Sequence, residues 1–276
     1  MWKFLWAIFK GSNENNNFWS HVDELRRRII ISLLFLILFS VLAFFFKNFI
    51  FDNIILSQTK SNFVTYKVLC KLNNIFPSLN LCFKPLFNFQ IINTEVGGQF
   101  RYHLILSIVT GLIIASPFIF YQLWLFIKPS LYRHEFLLAR KYVFYLTLLF
   151  LIGISFGYFV VSPITLNFLL SYELSSIIKN MISISSFVST ITILSFSMGL
   201  VFELPMMILL LTKLRIVTPE FLRKQRKLAL IIIFIIAGFI TPSTDIFSQV
   251  LVGLPFYILF EISILVSQNV KHKNIS

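Results

Sequence analysis

The acidic side chains are the residues of this sequence most able to do chemistry, because they are few and stand among many basic ones. There are 11 Asp and Glu against 24 Lys and Arg, which gives a net charge of +13. Glu24 lies just before the triplet Arg26–Arg28, and Glu135 follows an Arg-His pair. Each carboxylate is either a functional group on a basic surface or an ordinary charge. The ordinary Glu24 would pair along a helix with Arg27 or Arg28, and the ordinary Glu135 would be a solvated loop charge.

The position of Glu24 follows from a predicted helix start. Residues 20–28 read SHVDELRRR, and the spacing from Ser20 to Asp23 is that of a capping box. It predicts a helix that begins at Ser20 and continues directly into an apolar stretch. Glu24 would then lie at the membrane surface, one helical turn before the hydrocarbon.

Glu203 is the third informative acid, because it lies inside an apolar stretch. A charged acid in mid-membrane costs several kcal/mol, so this group is expected to be protonated, paired or facing a wet cavity. Pro205 has no amide hydrogen, which frees the carbonyl of Val201 and predicts a kink. Glu203 either makes a structural hydrogen bond between helices or does work in transport. A small-molecule or ion transporter that uses Glu203 is therefore the alternative function.

Motifs of catalysis and cofactor binding are absent from the sequence. It has no HExxH, GxSxG, Walker or dinucleotide fingerprint, and its four histidines lie in connections or at span ends. Cys70 and Cys82 form no metal-binding pattern, so no metal or cofactor is expected. If their connection lies outside the cytoplasm, these cysteines could form a disulfide; otherwise they are two reduced thiols. An enzyme is not expected.

Composition indicates the elements that must position these residues. The chain is 57% hydrophobic and 13% charged, with a mean hydropathy of +0.85. Soluble domains carry about 25% charged residues. We therefore predict an all-α, polytopic integral membrane protein with six transmembrane helices, of which the last two are short. The predicted spans are Ile29–Phe46, Tyr102–Phe126, Tyr142–Val161, Phe187–Leu211, Leu228–Ile240 and Val250–Val266.

Basic residues predict the orientation of these spans. Of the 24 Lys and Arg, 17 fall on the side that holds both termini and the 127–141 and 212–227 loops. The excess predicts cytoplasmic N and C termini, and anionic lipid rather than nucleic acid as the counter-charge. Residues 1–276 would form one membrane domain, with a cytoplasmic extension at 1–19, a long outer loop at 47–101 and a cytoplasmic tail at 267–276.

Several motifs, in order and in register with the spans, resemble those of the TatC family, the receptor subunit of the twin-arginine protein translocase. The resemblance covers roughly residues 20–266. The Thr241–Asp245 turn is one residue longer than the family's Thr-Pro-Pro-Asp turn, and the first outer loop is longer than in the family's shortest members. The matching segments are HVDELR from His21, SP from Ser116, YQLWLFIKP from Tyr121, LYRHE from Leu131, GYFVVSP from Gly157, FELP from Phe202, and TP, DIFSQ and EI in the last hairpin.

The resemblance implies a function in the export of folded proteins. Their signal peptides carry two adjacent arginines, which Glu24 and Glu135 would bind, with Arg26 beside them. A guanidinium fork takes a carboxylate in a geometry that lysine cannot copy. Glu203, Asp245, Gln249 and the last hairpin would contact small single-span subunits of the TatA and TatB type. The resemblance also implies a homo-oligomeric complex in the bacterial inner membrane, or an equivalent energy-coupling membrane, driven by the proton-motive force.

Overall fold

The structure is a computed structural model, and it describes residues 17–60, 62–75, 90–127, 139–171, 181–213, 216–241 and 246–273. Its helices are α1 (Asn17–Phe45), α2 (Val64–Ile75), α3 (Gly98–Ile127), α4 (Ala139–Phe156), α5 (Ser162–Ser171), α6 (Ile184–Phe202), α7 (Leu204–Lys213), α8 (Pro219–Lys224), α9 (Arg226–Ile240) and α10 (Ile246–Lys273). Two π-helical segments, Phe49–Ile55 and Gly157–Val161, and a 3-10 turn, Leu56–Thr59, complete the helical elements of the described ranges.

Five stretches of the described residues are long and apolar enough to cross a membrane. They are His21–Phe45, Gly98–Ile127, Tyr142–Ser171, Ile184–Lys213 and Ser248–Gln268. The fifth predicted span, Leu228–Ile240, is not among these stretches; it lies in α9, which has only 15 residues. A helix of that length rises about 22 Å, less than the roughly 30 Å of a typical hydrocarbon core. A polytopic helical architecture is therefore confirmed, and the count of six is not.

Exposed apolar side chains line the long helices, as expected for surfaces that face lipid. On α1 the exposed set includes Leu33, Leu34, Ile37, Leu38 and Val41. A water-soluble monomer rarely exposes an apolar surface of this extent. Residues 17–19 are already helical, since nothing in them breaks a helix. Ser20 is therefore not the N-cap that the capping box predicted.

The all-α prediction missed one small sheet. Strands β1 (Gln90–Ile92) and β2 (Met181–Ser183) pair in parallel, with Gln90 opposite Met181 and Ile92 opposite Ser183. Each strand has three residues, and the two lie far apart in the chain, so neither gives an alternating pattern long enough to recognise. Ser183 then caps α6, because its hydroxyl accepts a hydrogen bond from the Ser186 amide at 3.2 Å.

The chain forms two compact units. The first comprises residues 1–45 and 107–147, and the second comprises 46–106 and 148–276. In the first unit α1 packs against α3, where Phe118 stacks on Phe35 and Phe39 with ring centroids 4.6 and 5.7 Å apart. The two backbones approach closely at Gly111, where an added Cβ would lie 2.4 Å from the Ser40 Oγ.

In the second unit the core joins the Gly157–Val161 segment, α6, α8, α9 and α10. It buries Val161, Leu194, Met198, Leu222, Ile233, Ala237, Val252, Phe256, Phe260 and Ile264. Two glycines allow this packing. A Cβ at Gly153 would lie 2.7 Å from the Met198 carbonyl oxygen, and one at Gly157 would lie 2.7 Å from the Ser195 Cα. The end of α4 can therefore approach the backbone of α6.

Pro163 explains a set of polar contacts in the second unit. Because proline has no amide hydrogen, one helical hydrogen bond to the carbonyls four and five residues before it, those of Phe159 and Tyr158, cannot form. The Gln58 Nε2 donates to the Tyr158 carbonyl at 2.9 Å, and the Thr65 hydroxyl donates to the Phe159 carbonyl. The chain that follows the first span therefore satisfies the carbonyls that the π-helical segment exposes.

The same glutamine has two more partners. The Ser162 hydroxyl donates to its Oε1 at 2.9 Å, and the Tyr66 phenol donates to its backbone carbonyl at 3.2 Å. Burial raises the pKa of the Tyr66 phenol, which keeps it a neutral donor. We call these residues the Gln58 network: Gln58, Thr65, Tyr66, Tyr158, Phe159 and Ser162.

The long loop predicted at 47–101 is thus a folded region where the structure describes it. It contains α2 and β1, and its start is tied down by the Gln58 network. Cys70 lies in α2 and is disulfide-bonded. Cys82 lies outside the described residues.

Candidate functional site

Glu24 and Arg28 lie one turn apart on α1, so their side chains share a helix face. The Arg28 Nη2 is 3.2 Å from the Glu24 Oε1. The Arg28 side chain keeps 24% of its surface exposed, and the Glu24 side chain keeps 33%. The pairing along the helix that the sequence left open is therefore formed. Because the pair is partly solvated, it is worth no more than about 1 kcal/mol.

A third residue joins this pair from α3. The Arg28 Nη1 donates to the Gln122 Oε1 at 3.2 Å. The two terminal nitrogens of one guanidinium thus go to two different acceptors, a carboxylate and an amide. One turn further along α3, Phe126 stacks on His21 with ring centroids 4.5 Å apart. We call Glu24, Arg28 and Gln122 the Glu24 site.

The other members of the predicted binding site differ in what the structure says of them. Arg26 is exposed on α1. Glu135 lies outside the described residues, in the undescribed segment 128–138. The approach of Glu135 to Glu24 therefore stays a prediction.

An aromatic pair holds the two helices that flank segment 128–138. Trp124 of α3 stacks on Tyr142 of α4 with ring centroids 4.7 Å apart and planes 13° from parallel. Trp124 is buried, and its indole nitrogen has no hydrogen-bond partner among the described residues. The stack fixes the points where the chain leaves α3 and enters α4.

Glu203 lies at the break between α6 and α7, where the sequence predicted a kink from Pro205. Its amide donates to the Leu200 carbonyl at 3.2 Å, and its own carbonyl accepts from the Met206 and Met207 amides. The side chain is 7% exposed. Neither carboxyl oxygen has a hydrogen-bond partner in the described part of the chain. The structural hydrogen bond offered as its ordinary role is not formed there.

The last hairpin is closed near both ends by polar contacts. At one end the Gln249 Nε2 donates to the Phe234 carbonyl at 2.7 Å, which ties α10 to α9. At the other end the Arg226 Nη2 lies 2.7 Å from the Glu261 Oε2, and the Tyr257 phenol donates to the Glu261 Oε1 at 3.1 Å. Glu261 is therefore paired with Arg226 and Tyr257. Asp245 lies outside the described residues.

Sequence reasoning missed two residues that make these contacts: Gln122 in the Glu24 site and Arg226 in the last hairpin. Gln122 had a signal, since it is a polar side chain inside the apolar stretch Tyr102–Phe126. Arg226 had none, because its partner is 35 residues away on another helix. No group of three or more His, Cys, Asp or Glu that could hold a metal ion occurs among the residues searched, which are those the structure describes.

Comparison with protein families matches residues 20–255 to TatC, described as Sec-independent protein translocase protein. A protein of that description from Blattabacterium sp. subsp. Periplaneta americana (strain BPLAN) is 37% identical over 264 residues, which is 95% of this chain and 99% of the relative. The relative TatCy of Bacillus subtilis (strain 168) is 34% identical over 248 residues, which is 90% of this chain and 87% of the relative.

Solved structures give the same similarity. Two crystal structures described as the twin arginine translocase receptor TatC, one of them in DDM, align with TM-scores of 0.70 and 0.72. They are 30% and 31% identical to this chain and cover 91% and 90% of it, and 99% of each solved chain.

Proposed function

Because the chain belongs to the TatC family of Sec-independent protein translocase proteins, we propose that it is the receptor subunit of a twin-arginine translocase. It is an integral membrane protein of a protein-transport family. Its proposed task is to bind the twin-arginine signal peptides of folded cargo. The observation that carries this proposal is the Glu24 carboxylate, whose side chain is one-third exposed and which, among the described residues, is contacted by a single arginine nitrogen.

Binding would use the two carboxylates of Glu24 and Glu135. Each would accept a guanidinium of the signal peptide through charge-assisted hydrogen bonds, which are about twice as strong as neutral ones. Arg26 and Arg28 would keep the local potential positive, so that loosely held cations are repelled. Cargo arginines would then bind through hydrogen-bond geometry more than through charge.

The membrane arrangement is part of the proposal. With α9 as a short span, the chain would cross six times, and the 17 of 24 basic residues on one side support cytoplasmic N and C termini. In α9 the exposed apolar residues Ile231, Ile235 and Phe239 offer a lipid-level surface for small single-span partners of the TatA and TatB type. The proton-motive force would drive transport, in a complex with several copies of this chain.

Crosslinking of a labelled twin-arginine peptide to membranes that contain this protein tests the proposal most directly. In nanodiscs, Glu24→Ala and Glu135→Ala should each weaken peptide binding by about 10-fold to 150-fold. Asp23→Ala is the matched control, since Asp23 is an exposed acid on a different face of α1. Unchanged affinity in both glutamate variants, with the fold intact, would place the receptor site elsewhere.

A second candidate function, an ion or small-molecule transporter, is favoured by Glu203 alone. A buried carboxyl without a hydrogen-bond partner among the described residues is the kind of group that carries protons. Proton or solute flux through proteoliposomes that contain only this chain would support it. Flux that is absent while signal-peptide binding persists would exclude it.

A further inference from the structure

We propose that Gln122 sets the specificity of the Glu24 site by dividing the guanidinium of Arg28 between two acceptors. One oxygen of Glu24 is thereby left to an arginine of the cargo. The inference rests on the proposed receptor function. In it, Gln122 is a positioning residue, and Arg28 competes with the cargo arginine for Glu24.

Arg28 is a competitor because it is the same chemical group as the ligand. Its Nη2 bonds to the Oε1 of Glu24, and its Nη1 donates to the Gln122 Oε1. A guanidinium free of such a second acceptor can face a carboxylate with two parallel hydrogen bonds and occupy both oxygens. The observed geometry is the divided one, in which Arg28 binds Glu24 through one nitrogen.

Gln122 can impose this division because its backbone position is fixed. Phe118, Gln122 and Phe126 follow one another at four-residue spacing on α3, and all three contact α1. The two aromatic neighbours stack on Phe35 and His21. The stacked rings lie one helical turn before and one turn after Gln122, so they fix the position of its side-chain amide along α1, beside Arg28.

The arrangement discriminates between arginine and lysine. A cargo arginine can add to the open Glu24 oxygen while Arg28 keeps its place, so that two planar groups share one carboxylate. A cargo lysine brings a compact ammonium, which is more strongly hydrated than a guanidinium and so loses more hydration on entering beside Arg28. Arg28 therefore lowers the affinity for any cation, and Gln122 lowers that penalty by keeping one Glu24 oxygen open.

The test measures the affinity of the full chain in nanodiscs for two synthetic signal peptides, one with Arg-Arg and one with Lys-Lys. Gln122→Leu should weaken Arg-Arg binding by about 3-fold to 10-fold, because Arg28 turns onto both Glu24 oxygens. Gln122→Glu should have the opposite sign, since a carboxylate at 122 draws Arg28 away from Glu24. Tyr121→Phe, on an exposed neighbour, should change nothing.

The decisive result is the double variant. In an Arg28→Ala background, Gln122→Leu should have no further effect on Arg-Arg binding, because the group it restrains is gone. Arg28→Ala alone should raise Lys-Lys binding more than Arg-Arg binding, by about 10-fold against 3-fold, and so narrow the discrimination. Gln122→Met serves the same purpose if the leucine variant does not fold.

Two outcomes would overturn the inference: an unchanged affinity in Gln122→Leu, or a loss that persists in the Arg28→Ala background. Neither touches the proposed function, provided that the native chain still prefers Arg-Arg and loses that preference on Glu24→Ala. If the native chain shows no preference and Glu24→Ala has no effect, the proposed function itself fails.

Discussion

The Glu24 site and the Gln58 network are both groups of polar side chains, yet they are built in opposite ways. The Glu24 site is charged and partly exposed, and the Glu24 and Gln122 side chains each contact Arg28. The Gln58 network is neutral and mostly buried, and Gln58 alone makes three hydrogen bonds in it. The first can exchange partners with solvent or a ligand, whereas the second cannot.

The difference comes from the backbone. Pro163 and the π-helical segment before it leave carbonyls that need hydrogen-bond donors within a buried region, and Gln58 and Thr65 supply them. At residues 24 and 122 the helices α1 and α3 run without interruption, and no backbone group depends on the side chains. A polar cluster that the backbone does not need is free to be used for binding.

The largest effect should come from Glu203, which is buried like Gln58 but, within the described residues, unpaired. Glu203→Lys should cost at least about 3 kcal/mol of stability and abolish export, because it buries an unpaired cation. Glu203→Gln keeps a polar group without charge and should retain more export than Glu203→Ala. Export of a reporter with a twin-arginine signal measures this in cells.

If Glu203→Gln is as damaging as Glu203→Lys, ionisation of Glu203 matters. That result would support the transporter alternative over a purely structural role for Glu203.

The next effect tests whether the Gln58 network is structural. Gln58→Leu should lower the free energy of unfolding in detergent by about 2–4 kcal/mol, because it leaves the Tyr158 carbonyl and the Ser162 hydroxyl unpaired. Lys60→Ala is the matched control. Its exposed ammonium makes a 3.4 Å contact with the Asp52 carbonyl, so the change should be small. An equal loss of unfolding free energy in Gln58→Leu and Lys60→Ala would mean that the Gln58 network has no special structural role.

A smaller effect tests the role of Pro163. Thr65→Val should cost about 1 kcal/mol in the native background, since the Phe159 carbonyl loses its donor. In a Pro163→Ala background the new amide can donate to that carbonyl, and Thr65→Val should then cost less than half as much. A double-mutant cycle on thermal midpoints measures this coupling. Additive losses would mean that proline does not create the need for Thr65.

The smallest effect is expected at the Glu24 site. Arg28→Ala should change the unfolding free energy by less than about 0.5 kcal/mol, because a partly solvated ion pair four residues apart on one helix contributes little. Thermal unfolding in detergent, run beside Gln58→Leu, gives the comparison. A loss as large as that of Gln58→Leu would make the Glu24 site a structural network and not a binding one.

The sequence predicted the long helices well and the contacts between them poorly. The spans Tyr102–Phe126 and Phe187–Leu211 lie within the helical spans Gly98–Ile127 and Ile184–Lys213, because a run of apolar residues is a local signal. Val161 is the predicted end of the third span, which instead continues to Ser171, since Gln58 and Thr65 supply donors to the carbonyls before Pro163.

The long-range contact partners of individual side chains could not be predicted from the sequence. Glu24 and Arg28 could be paired from sequence because they are four residues apart. Gln58 and Ser162 are 104 residues apart, and Arg28 and Gln122 are 94 apart. No local pattern carries such information, since it depends on how helices pack.

The π-helical segment Gly157–Val161 has a consequence for the phase of the helix that follows it. A π turn holds more residues than an α turn, so the segment acts like one residue inserted between α4 and α5. One extra residue rotates everything after it by about 100°. The segment therefore decides that Thr165 and Leu166 are on the buried face of α5. Deleting one residue from it would turn that face outward while the apolar composition of the span stayed the same.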